Sequence, residues 1–208
     1  AFYGEDAVNY LRGMFGFVIW DKEEKSIFAA RDPFGIKPFF YKEEGEKLFF
    51  ASEKKSIVLA AGEEKVNVDA LQNYLTYQFV PEPETMTEGI QKLLPGHYLK
   101  KKIGEPIEIG RYWKAAFSPA LKSEETWVEE IREVMIDSVQ KHMRSDVPVG
   151  SFLSGGIDSS IIASIAKKSH PGIKTFSVGF EHEGFSEIDV AKETAEKLDV
   201  ENISYIIT

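Results

Sequence analysis

Val147-Pro-Val-Gly-Ser-Phe-Leu-Ser-Gly-Gly-Ile-Asp-Ser-Ser160 sets the architecture of the second half of the chain. Its first half, through Leu153, is apolar and partly β-branched, which is typical of a buried strand. The apolar run ends abruptly at Ser154-Gly155-Gly156. Beyond that point apolar residues recur at the spacing of one helix face: Ile161, Ile162, Ile165 and Ala166. The stretch therefore predicts a strand, a glycine turn and a helix.

The turn between this strand and this helix favours phosphate binding. At the start of a helix several backbone N–H groups have no partner within the helix, and the helix dipole adds partial positive charge. Gly155 and Gly156 lack a Cβ, so we expect both to allow a positive φ and a close approach to a ligand. The hydroxyls of Ser154, Ser159 and Ser160 can donate to phosphate oxygens.

Asp158 is the acidic member of this loop. A carboxylate facing a polyphosphate is repelled unless a divalent cation lies between them, so Asp158 predicts Mg²⁺ bridging the carboxylate and the phosphate oxygens of a nucleotide. No Gly-Lys-Ser/Thr follows the glycines, which disfavours transfer of the γ-phosphoryl group. A purely structural interpretation, in which Ser and Asp cap a helix after a Gly-Gly turn, stays open.

The segment Ser154-Gly-Gly-Ile-Asp-Ser159 resembles the pyrophosphate loop of the ATP pyrophosphatases, which release pyrophosphate and leave AMP on the substrate. Together, the loop chemistry and this resemblance give the hypothesis that Asp158 holds magnesium. The residues assigned to pyrophosphate are Ser154, Gly155, Gly156, Ser159 and Ser160.

Composition limits the classes of protein that need be considered. With 208 residues, 43% of them hydrophobic, the chain can bury the core of one or two domains. A formal net charge of −9 argues against a nucleic-acid partner. Cysteine is absent, which excludes a disulfide, a thiolate metal site and a cysteine nucleophile within these residues. No apolar run is long enough to span a bilayer and no signal peptide is recognisable, so we expect a soluble, cytoplasmic protein.

The first part of the chain has the pattern of a β meander. Short apolar runs separated by polar turns predict one antiparallel sheet, apolar on both faces and hence one layer of a sandwich. Its strands are predicted at Phe15–Trp20, Ser26–Ala30, Pro38–Tyr41 and Lys47–Ala51. Arg31-Asp-Pro-Phe-Gly-Ile-Lys-Pro38 is interpreted as a fixed turn in which Arg31 and Asp32 pair with each other or hold the loop. Helices are predicted at 53–61 and 68–79, and a strand at 107–113.

The second part predicts a βαβ unit around the glycine turn. Lys174–Phe180 is an apolar strand, so it should pair in parallel with the strand before the turn, and ligand should lie at the carboxyl ends of both strands. This places Leu153 and the Val178-Gly179 backbone near the base and ribose of a nucleotide, although a core role for Val178 stays open. A helix over 124–143 should bury one apolar stripe: Trp127, Ile131, Val134, Met135, Val139 and Met143. A later helix, capped by Ser186, should run through Leu198.

Four pieces of the chain, in this order before the loop, resemble the glutamine-hydrolysing asparagine synthetases: Gly13-Met-Phe-Gly-Phe17, Ala30-Arg-Asp-Pro-Phe-Gly-Ile-Lys-Pro38, Ala51-Ser-Glu-Lys54 and Leu94-Pro-Gly-His-Tyr-Leu99. The resemblance extends over nearly the whole chain. It implies a glutaminase domain, built as a sandwich of antiparallel sheets between helices, that uses an N-terminal cysteine to free ammonia from glutamine. It also implies a second, α/β domain that joins this ammonia to aspartate activated by ATP, and it matches Leu153, Val178 and Gly179 to ATP contacts.

The fold class and the domain division follow from this resemblance. We expect an α+β antiparallel sandwich, as part of a glutaminase domain, followed by part of an α/β parallel-sheet ATP pyrophosphatase domain. Residues 1–114 are assigned to the C-terminal part of the amidotransferase domain, 115–123 to a linker and 124–208 to the N-terminal part of the synthetase domain. Because the cysteine nucleophile and the family's later catalytic glutamate are missing, we expect an internal piece of a longer enzyme, without a catalytic residue of its own.

The resemblance implies a reaction in which the β-carboxylate of aspartate attacks the α-phosphorus of ATP, giving aspartyl-AMP and pyrophosphate with the help of Mg²⁺. Ammonia then displaces AMP to give asparagine. The partners implied are small molecules, namely aspartate, ATP, and glutamine or ammonia, without nucleic acid or membrane; a homodimer stays open.

Two other interpretations stay open. One is a different ATP pyrophosphatase on the same scaffold, such as a β-lactam synthetase-like enzyme that closes a ring and needs no ammonia. The other is a non-catalytic fragment that binds nucleotide without turnover.

Overall fold

The computed structural model of the protein describes residues 3–62, 65–181 and 187–207. The chain forms two compact units, Ala1–Ser118 and Pro119–Thr208. Ser186, predicted to cap the last helix, lies outside the described residues. Among the described residues, no helix is both long enough and apolar enough to cross a membrane.

The described residues of the first unit form two antiparallel sheets and two α-helices. A 3-10 helix at Gly4–Tyr10 precedes them. The helices are α1 (Lys54–Ala61) and α2 (Val68–Tyr77). The strands are β1 (Gly16–Asp21), β2 (Ser26–Arg31), β3 (Phe40–Glu44), β4 (Lys47–Ala51), β5 (Gln91–Lys92), β6 (His97–Lys102) and β7 (Glu108–Arg111).

The predicted meander is wrong in its pairing, although its strands are present. The four strands β1 to β4 do not form one sheet, because β2 pairs with β6 and β3 pairs with β5. One sheet therefore has the order β1-β2-β6-β7 and the other β4-β3-β5. The segment between Arg31 and Phe40 carries the chain from one sheet to the other, and β3 begins at Phe40 rather than at Pro38.

One hydrophobic cluster joins the two sheets of the first unit. Ala29 and Leu99, from β2 and β6, are buried together with Tyr41 of β3, and Val18 and Leu48 pack against them. The segment that carries the chain between the sheets also contributes to this cluster, since Phe39 is one of the buried residues. The two sheets thus share one core.

Arg31 and Asp32 hold the segment that connects the two sheets. The Asp32 carboxylate accepts hydrogen bonds from the N–H groups of Phe34, Ile36 and Lys37 at 3.0–3.1 Å. Burial raises the pKa of Asp32, but the hydrogen bonds from Lys37, Ile36 and Phe34 outweigh it, so the pKa lies below its ordinary value. The predicted structural role of this segment is confirmed.

Arg31 is 4% exposed, and its guanidinium makes several hydrogen bonds. It donates to three backbone carbonyls, those of Lys37, Leu93 and Gly35, at 2.6–2.8 Å. It also contacts both carboxylate oxygens of Glu82, at 3.0 and 3.3 Å. This pairing uses the planar fork of arginine and neutralises its buried charge.

The second unit is an α/β assembly. Its elements are α3 (Glu124–His142), β8 (Gly150–Phe152), α4 (Ile157–Ser169), β9 (Lys174–Phe180), α5 (Ile188–Leu198) and β10 (Glu201–Ile207). The strands form a sheet of order β10-β9-β8, and both pairings are parallel, as the sequence predicts for β8 and β9. β10 follows α5 closely, since α5 ends at Leu198 and the strand begins at Glu201.

The prediction that the whole apolar stripe of α3 is core is wrong for its N-terminal half. Val139 and Met143 are buried with Ala166 and Ile173. Val134, however, is 65% exposed. The reason is that α3 packs beside α4 rather than on β8. Among the described residues, only the C-terminal half of α3 is covered, and an apolar groove lies beside the N-terminal half of α3.

Replacing Asp32 with Asn should destabilise the first unit by about 2–3 kcal/mol. The reason is that an amide NH₂ would face the Lys37 N–H, from which the carboxylate now accepts a hydrogen bond. Asp21→Asn is the matched control: Asp21 accepts from Glu23 and Glu24 in an exposed turn, so its cost should stay within about 0.5 kcal/mol. Urea unfolding at pH 7 measures both. Equal costs for the two variants would contradict the role of Asp32.

Tyr112 should make stability fall at high pH. Its hydroxyl donates to the Arg31 carbonyl at 2.7 Å, and burial together with the charge of Asp32 raises its pKa to about 12 from 10.0. The fold thus favours the neutral phenol. The contribution of Tyr112 to the free energy of unfolding is therefore complete below pH 10 and is lost as the pH rises from 10 to about 12. Tyr112→Phe should be less stable than wild type at pH 7, and the two unfolding curves should converge by about pH 12. A constant gap between them would refute this assignment.

Candidate functional site

The glycine turn lies where the sequence predicts it, between the end of β8 and the start of α4. Gly155 has a φ of +83°, a conformation that glycine adopts without strain. Gly156 has a φ of −69° and a ψ of 163°, which any residue can adopt. Of the two glycines that allow a positive φ, only Gly155 therefore uses it, and Gly156 serves as the N-cap of α4.

Gly155 is also held by a close approach to α5. A Cβ at this position would lie 2.8 Å from Val190 Cγ1 and 2.9 Å from the backbone nitrogen of Ala191. Ala191 is fully buried, in a cluster with Leu153 and Ala163. The turn is thus packed against the start of α5.

The start of α4 presents backbone donors. Ser123 and Asn67 cap α3 and α2 with a side-chain acceptor. The N-cap of α4 is Gly156, which has no side chain to accept a hydrogen bond. Helix geometry leaves the first N–H groups of α4 without intrahelical partners, and the helix dipole makes that end positive. An anion can therefore bind here through the backbone.

The three serine hydroxyls predicted to contact pyrophosphate lie together at this helix start. The Ser154 and Ser159 hydroxyl oxygens are 3.1 Å apart, and the Ser154 N–H donates to Ser159 Oγ at 3.3 Å. Ser159 and Ser160 both donate to the Gly156 carbonyl, at 3.2 and 2.7 Å. These bonds hold the loop, and binding of a phosphate group would exchange some of them for bonds to its oxygens.

Asp158 lies in the first turn of α4 and is exposed. Among the described residues there is no group of three or more His, Cys, Asp or Glu that could hold a metal ion. A single carboxylate still fits Mg²⁺, since this ion keeps several waters and is usually bound by one or two carboxylates plus the phosphates of its nucleotide. The residues present therefore fit a magnesium ion that is shared with a polyphosphate.

A small cavity of about 150 Å³ lies at the carboxyl ends of β8 and β9. Three of the predicted site residues, Leu153, Ser154 and Val178, line it, together with Glu187 and Ile188 at the start of α5. Val178 is half-exposed there, whereas Gly179 is buried in β9. Ligand pockets usually measure roughly 300–1,000 Å³, so this cavity is too small by itself to hold a nucleotide.

Sequence reasoning missed a buried polar face of β9. The strand alternates between buried and exposed residues, with Thr175, Ser177 and Gly179 buried. Ser177 donates to the Leu153 carbonyl at 2.6 Å, and Asn202 of β10 donates to both Thr175 and Ser177 at 3.0 Å. The signal in the sequence is the two-residue period of small residues within Lys174-Thr-Phe-Ser-Val-Gly-Phe180, which the prediction of an apolar strand does not take into account.

Two family models match this chain. A glutamine amidotransferase domain matches residues 1–113, more than half of the chain. An asparagine synthase model matches residues 130–208, which include the glycine turn and the cavity.

Curated relatives are similar over nearly the whole chain. Asparagine synthetase [glutamine-hydrolyzing] 1 of Bacillus subtilis is 52% identical over 99% of this chain and 33% of its own length. A putative glutamine-hydrolysing asparagine synthetase of Mycobacterium bovis is 42% identical, with the same coverage of both chains. Amidase chry2 of Gibberella zeae is 34% identical over 96% of this chain and 32% of its own length. The chain thus spans about a third of the length of these relatives.

The two glycines of the turn should differ in their tolerance of a side chain. Gly155→Ala should destabilise the second unit by about 2 kcal/mol or more, since it combines a left-handed φ with contacts below 3.0 Å to α5. Gly156→Ala should change stability by less than about 0.5 kcal/mol, because the nearest atom is 3.4 Å away and the backbone is ordinary. Chemical unfolding of both variants decides this, and a Gly156 variant as unstable as the Gly155 variant would contradict the geometry.

Proposed function

This chain belongs to the glutamine amidotransferase domain family, and from that premise we propose that it is part of an ATP-dependent amidotransferase that makes asparagine. The enzyme activates the β-carboxylate of aspartate as aspartyl-AMP and releases pyrophosphate. It then amidates the activated carboxylate with ammonia derived from glutamine. The single observation that carries this proposal is the glycine turn at the start of α4, which lies inside the asparagine synthase match and follows an amidotransferase match.

The proposed domain division is 1–114 for the amidotransferase part, 115–123 for the linker and 124–208 for the synthetase part. The change of compact unit at Ser118 and Pro119 supports it, as do the limits of the two family matches. In the first domain the two antiparallel sheets act as layers of a sandwich, for which their shared cluster is the support.

The second domain is an incomplete ATP pyrophosphatase domain with a parallel sheet. Parallel sheets are usually covered on both faces. In β9, however, the side chains that alternate with the buried ones, Phe176, Val178 and Phe180, stay partly exposed. This supports a larger domain, to which the remaining two thirds of the enzyme's length would contribute.

Pyrophosphate is bound, in this proposal, by the start of α4. The backbone N–H groups there and the hydroxyls of Ser154, Ser159 and Ser160 donate to its oxygens, and Gly155 and Gly156 let the backbone come close. The donors face the oxygens that gain charge as the bond from the α-phosphorus to pyrophosphate breaks, so they stabilise the leaving group. Their preorganisation is supported by the bonds that already hold the three hydroxyls together.

Asp158 would hold Mg²⁺ together with the phosphate oxygens of ATP, and the ion would supply charge neutralisation on the leaving pyrophosphate. The position of Asp158 in the first turn of α4, next to the proposed phosphate donors, supports this role. Leu153, Val178 and Gly179 would form one wall for the base and ribose, supported by the cavity that Leu153 and Val178 line.

Ammonia production needs a nucleophile that these 208 residues do not contain, since cysteine is absent. We therefore assign glutamine hydrolysis to another part of the same enzyme. The partners are then aspartate, ATP and glutamine, and the site of action is the cytoplasm. The net charge of −9 disfavours nucleic acid as a partner.

A second candidate changes the acceptor but not the activation step. The similarity to amidase chry2 shows that relatives at 34% identity carry a name other than asparagine synthetase. A related enzyme that activates a different carboxylate, including a β-lactam synthetase-like enzyme that closes a ring without ammonia, would use the same turn and the same Asp158. A binding module without turnover is the remaining alternative.

Pyrophosphate release by the full-length protein, with ATP, aspartate and ammonium, tests the proposal. Asp158→Asn should lower kcat/KM for ATP by about 100-fold or more and raise the Mg²⁺ concentration that is needed, because it removes a charged ligand of the ion. Asp189→Asn is the matched control, since Asp189 is the second residue of α5 as Asp158 is of α4, and it should stay within about twofold of wild type.

Three outcomes separate the hypotheses. Normal turnover of Asp158→Asn would overturn the magnesium assignment. Pyrophosphate release that needs another carboxylic acid in place of aspartate would favour the second candidate. Binding of ATP without any turnover by the wild type would leave the non-catalytic alternative.

A further inference from the structure

A ladder of polar side chains crosses the parallel sheet and ends at the glycine turn. Ser204 donates to Asn202 Oδ1 at 2.7 Å, and Asn202 Nδ2 donates to Thr175 Oγ1 and to Ser177 Oγ at 3.0 Å each. Thr175 donates to the Glu201 carbonyl at 3.1 Å. Ser177 donates to the Leu153 carbonyl at 2.6 Å. Among the described residues no buried side-chain nitrogen or oxygen lacks a partner, so the ladder is fully satisfied.

The direction of the hydrogen bonds in this ladder is fixed. The amide NH₂ of Asn202 can only donate, so both hydroxyls that it contacts must accept from it. Each hydroxyl has one hydrogen, and the Ser177 hydrogen is therefore left for the Leu153 carbonyl. The hydroxyl cannot turn away without losing a bond in a position where it is 5% exposed.

Leu153 lies just beyond the regular pairing of β8 with β9, which ends at Phe152 and Phe176. Its N–H donates to the Phe176 carbonyl at 2.9 Å, so that side of the residue is still held by backbone. Its carbonyl is held by the Ser177 side chain instead. The hydrogen bonding between β9 and the chain that follows β8 therefore continues, through the Ser177 side chain, to the peptide before the first residue of the turn.

The peptide that Ser177 holds is the one that joins Leu153 to Ser154. A trans peptide is planar, and its C=O and N–H point in opposite directions, so fixing the carbonyl also fixes the N–H of Ser154. This N–H donates to Ser159 Oγ, one of the hydroxyls assigned to pyrophosphate. A side chain buried in the sheet therefore sets the orientation of a group in the turn.

We propose that Ser177, oriented by Asn202, is a positioning residue for nucleotide binding: it fixes the Leu153–Ser154 peptide and with it the pyrophosphate turn and the Leu153 wall of the cavity. This rests on the proposed function of the turn. Ser177 does not contact the phosphates itself, and it acts through the peptide that it holds.

Thr175 provides a matched control on the same strand. It is fully buried on the same face, its hydroxyl accepts from the same Asn202 group, and it donates to one backbone carbonyl. Their donated bonds differ in destination, since the Thr175 bond ends at Glu201, at the end of the sheet away from the turn. Ser177 also lines the small cavity, which Thr175 does not, so amide exchange is the readout that isolates the effect on the peptide. Thr175→Val and Ser177→Ala each remove one hydroxyl from the ladder, but only the second frees the Leu153 carbonyl.

The experiment compares both variants in the full-length protein. We expect both to lower the unfolding midpoint by a similar amount. Ser177→Ala should raise the KM for ATP about tenfold in pyrophosphate release, whereas Thr175→Val should leave it within about twofold of wild type. The KM for aspartate should be unchanged in both. Equal values of the KM for ATP in the two variants would overturn the inference.

Amide hydrogen exchange provides a second measurement that does not depend on the reaction. Ser177→Ala should speed exchange in the segment 152–160, and Thr175→Val should not. If wild type releases no pyrophosphate but the exchange difference is present, the proposed function fails while the positioning of the turn stands. If exchange in this segment is the same in both variants, the positioning fails, whatever the reaction.

Discussion

The buried charge of Arg31 is the constraint on which the first unit depends. Two sheets share one core, so the chain has to pass from β2 to β3 without leaving backbone groups unpaired. The guanidinium solves this by donating to three carbonyls of the surrounding loops, and the Asp32 carboxylate accepts from three N–H groups of the same crossing. Glu82 neutralises the charge of Arg31. Burial raises the pKa of Glu82, but its pairing with Arg31 and Lys92 outweighs this effect, so the pKa lies below its ordinary value. A charge in this position is stabilising only as long as all of its partners are present.

The second unit is organised by a different constraint, the convergence of a strand end, a turn and a helix start. The hydrogen bonds within the turn are short-range along the chain, but three contacts come from further away: the packing of Gly155 on α5 and the bonds of Leu153 with the Phe176 carbonyl and the Ser177 hydroxyl. All three reach the turn from elements that follow it in sequence. The turn is therefore not an independent local motif, and its geometry reports on the packing of β9 and α5.

The elements of the fold could be predicted from sequence where a local rule governs them. Gly62 ends α1 with a left-handed φ, Asn67 caps α2, and the limits of β4 and β9 agree with the apolar pattern. Pairing could not be predicted, because the partner of β2 is β6, about 70 residues further on, and no local rule specifies it. The stripe of α3 was misjudged for a related reason: amphipathicity shows that a face can be buried, but not how much of it a neighbouring helix covers.

In the candidate site, too, some residues could be predicted from the sequence and others could not. Side-chain chemistry and order along the chain brought the residues of the turn together, and the structure has them at one helix start. Ser177 and Asn202 could not be found by motif, because neither lies within the turn and their role comes from a sheet whose register the sequence does not reveal. What identifies them is the direction of hydrogen bonds, which exists only once the strands are paired.

The close approach of Gly155 to α5 has a consequence for how this sequence can diverge. A Cβ at position 155 would meet the backbone nitrogen of Ala191 and the backbone carbon of Val190 as well as a side chain. Because that obstacle is mostly backbone, no change of side chain in α5 would remove it. The glycine in Ser-Gly-Gly-Ile-Asp-Ser is therefore required by a helix that begins more than 30 residues later in the sequence.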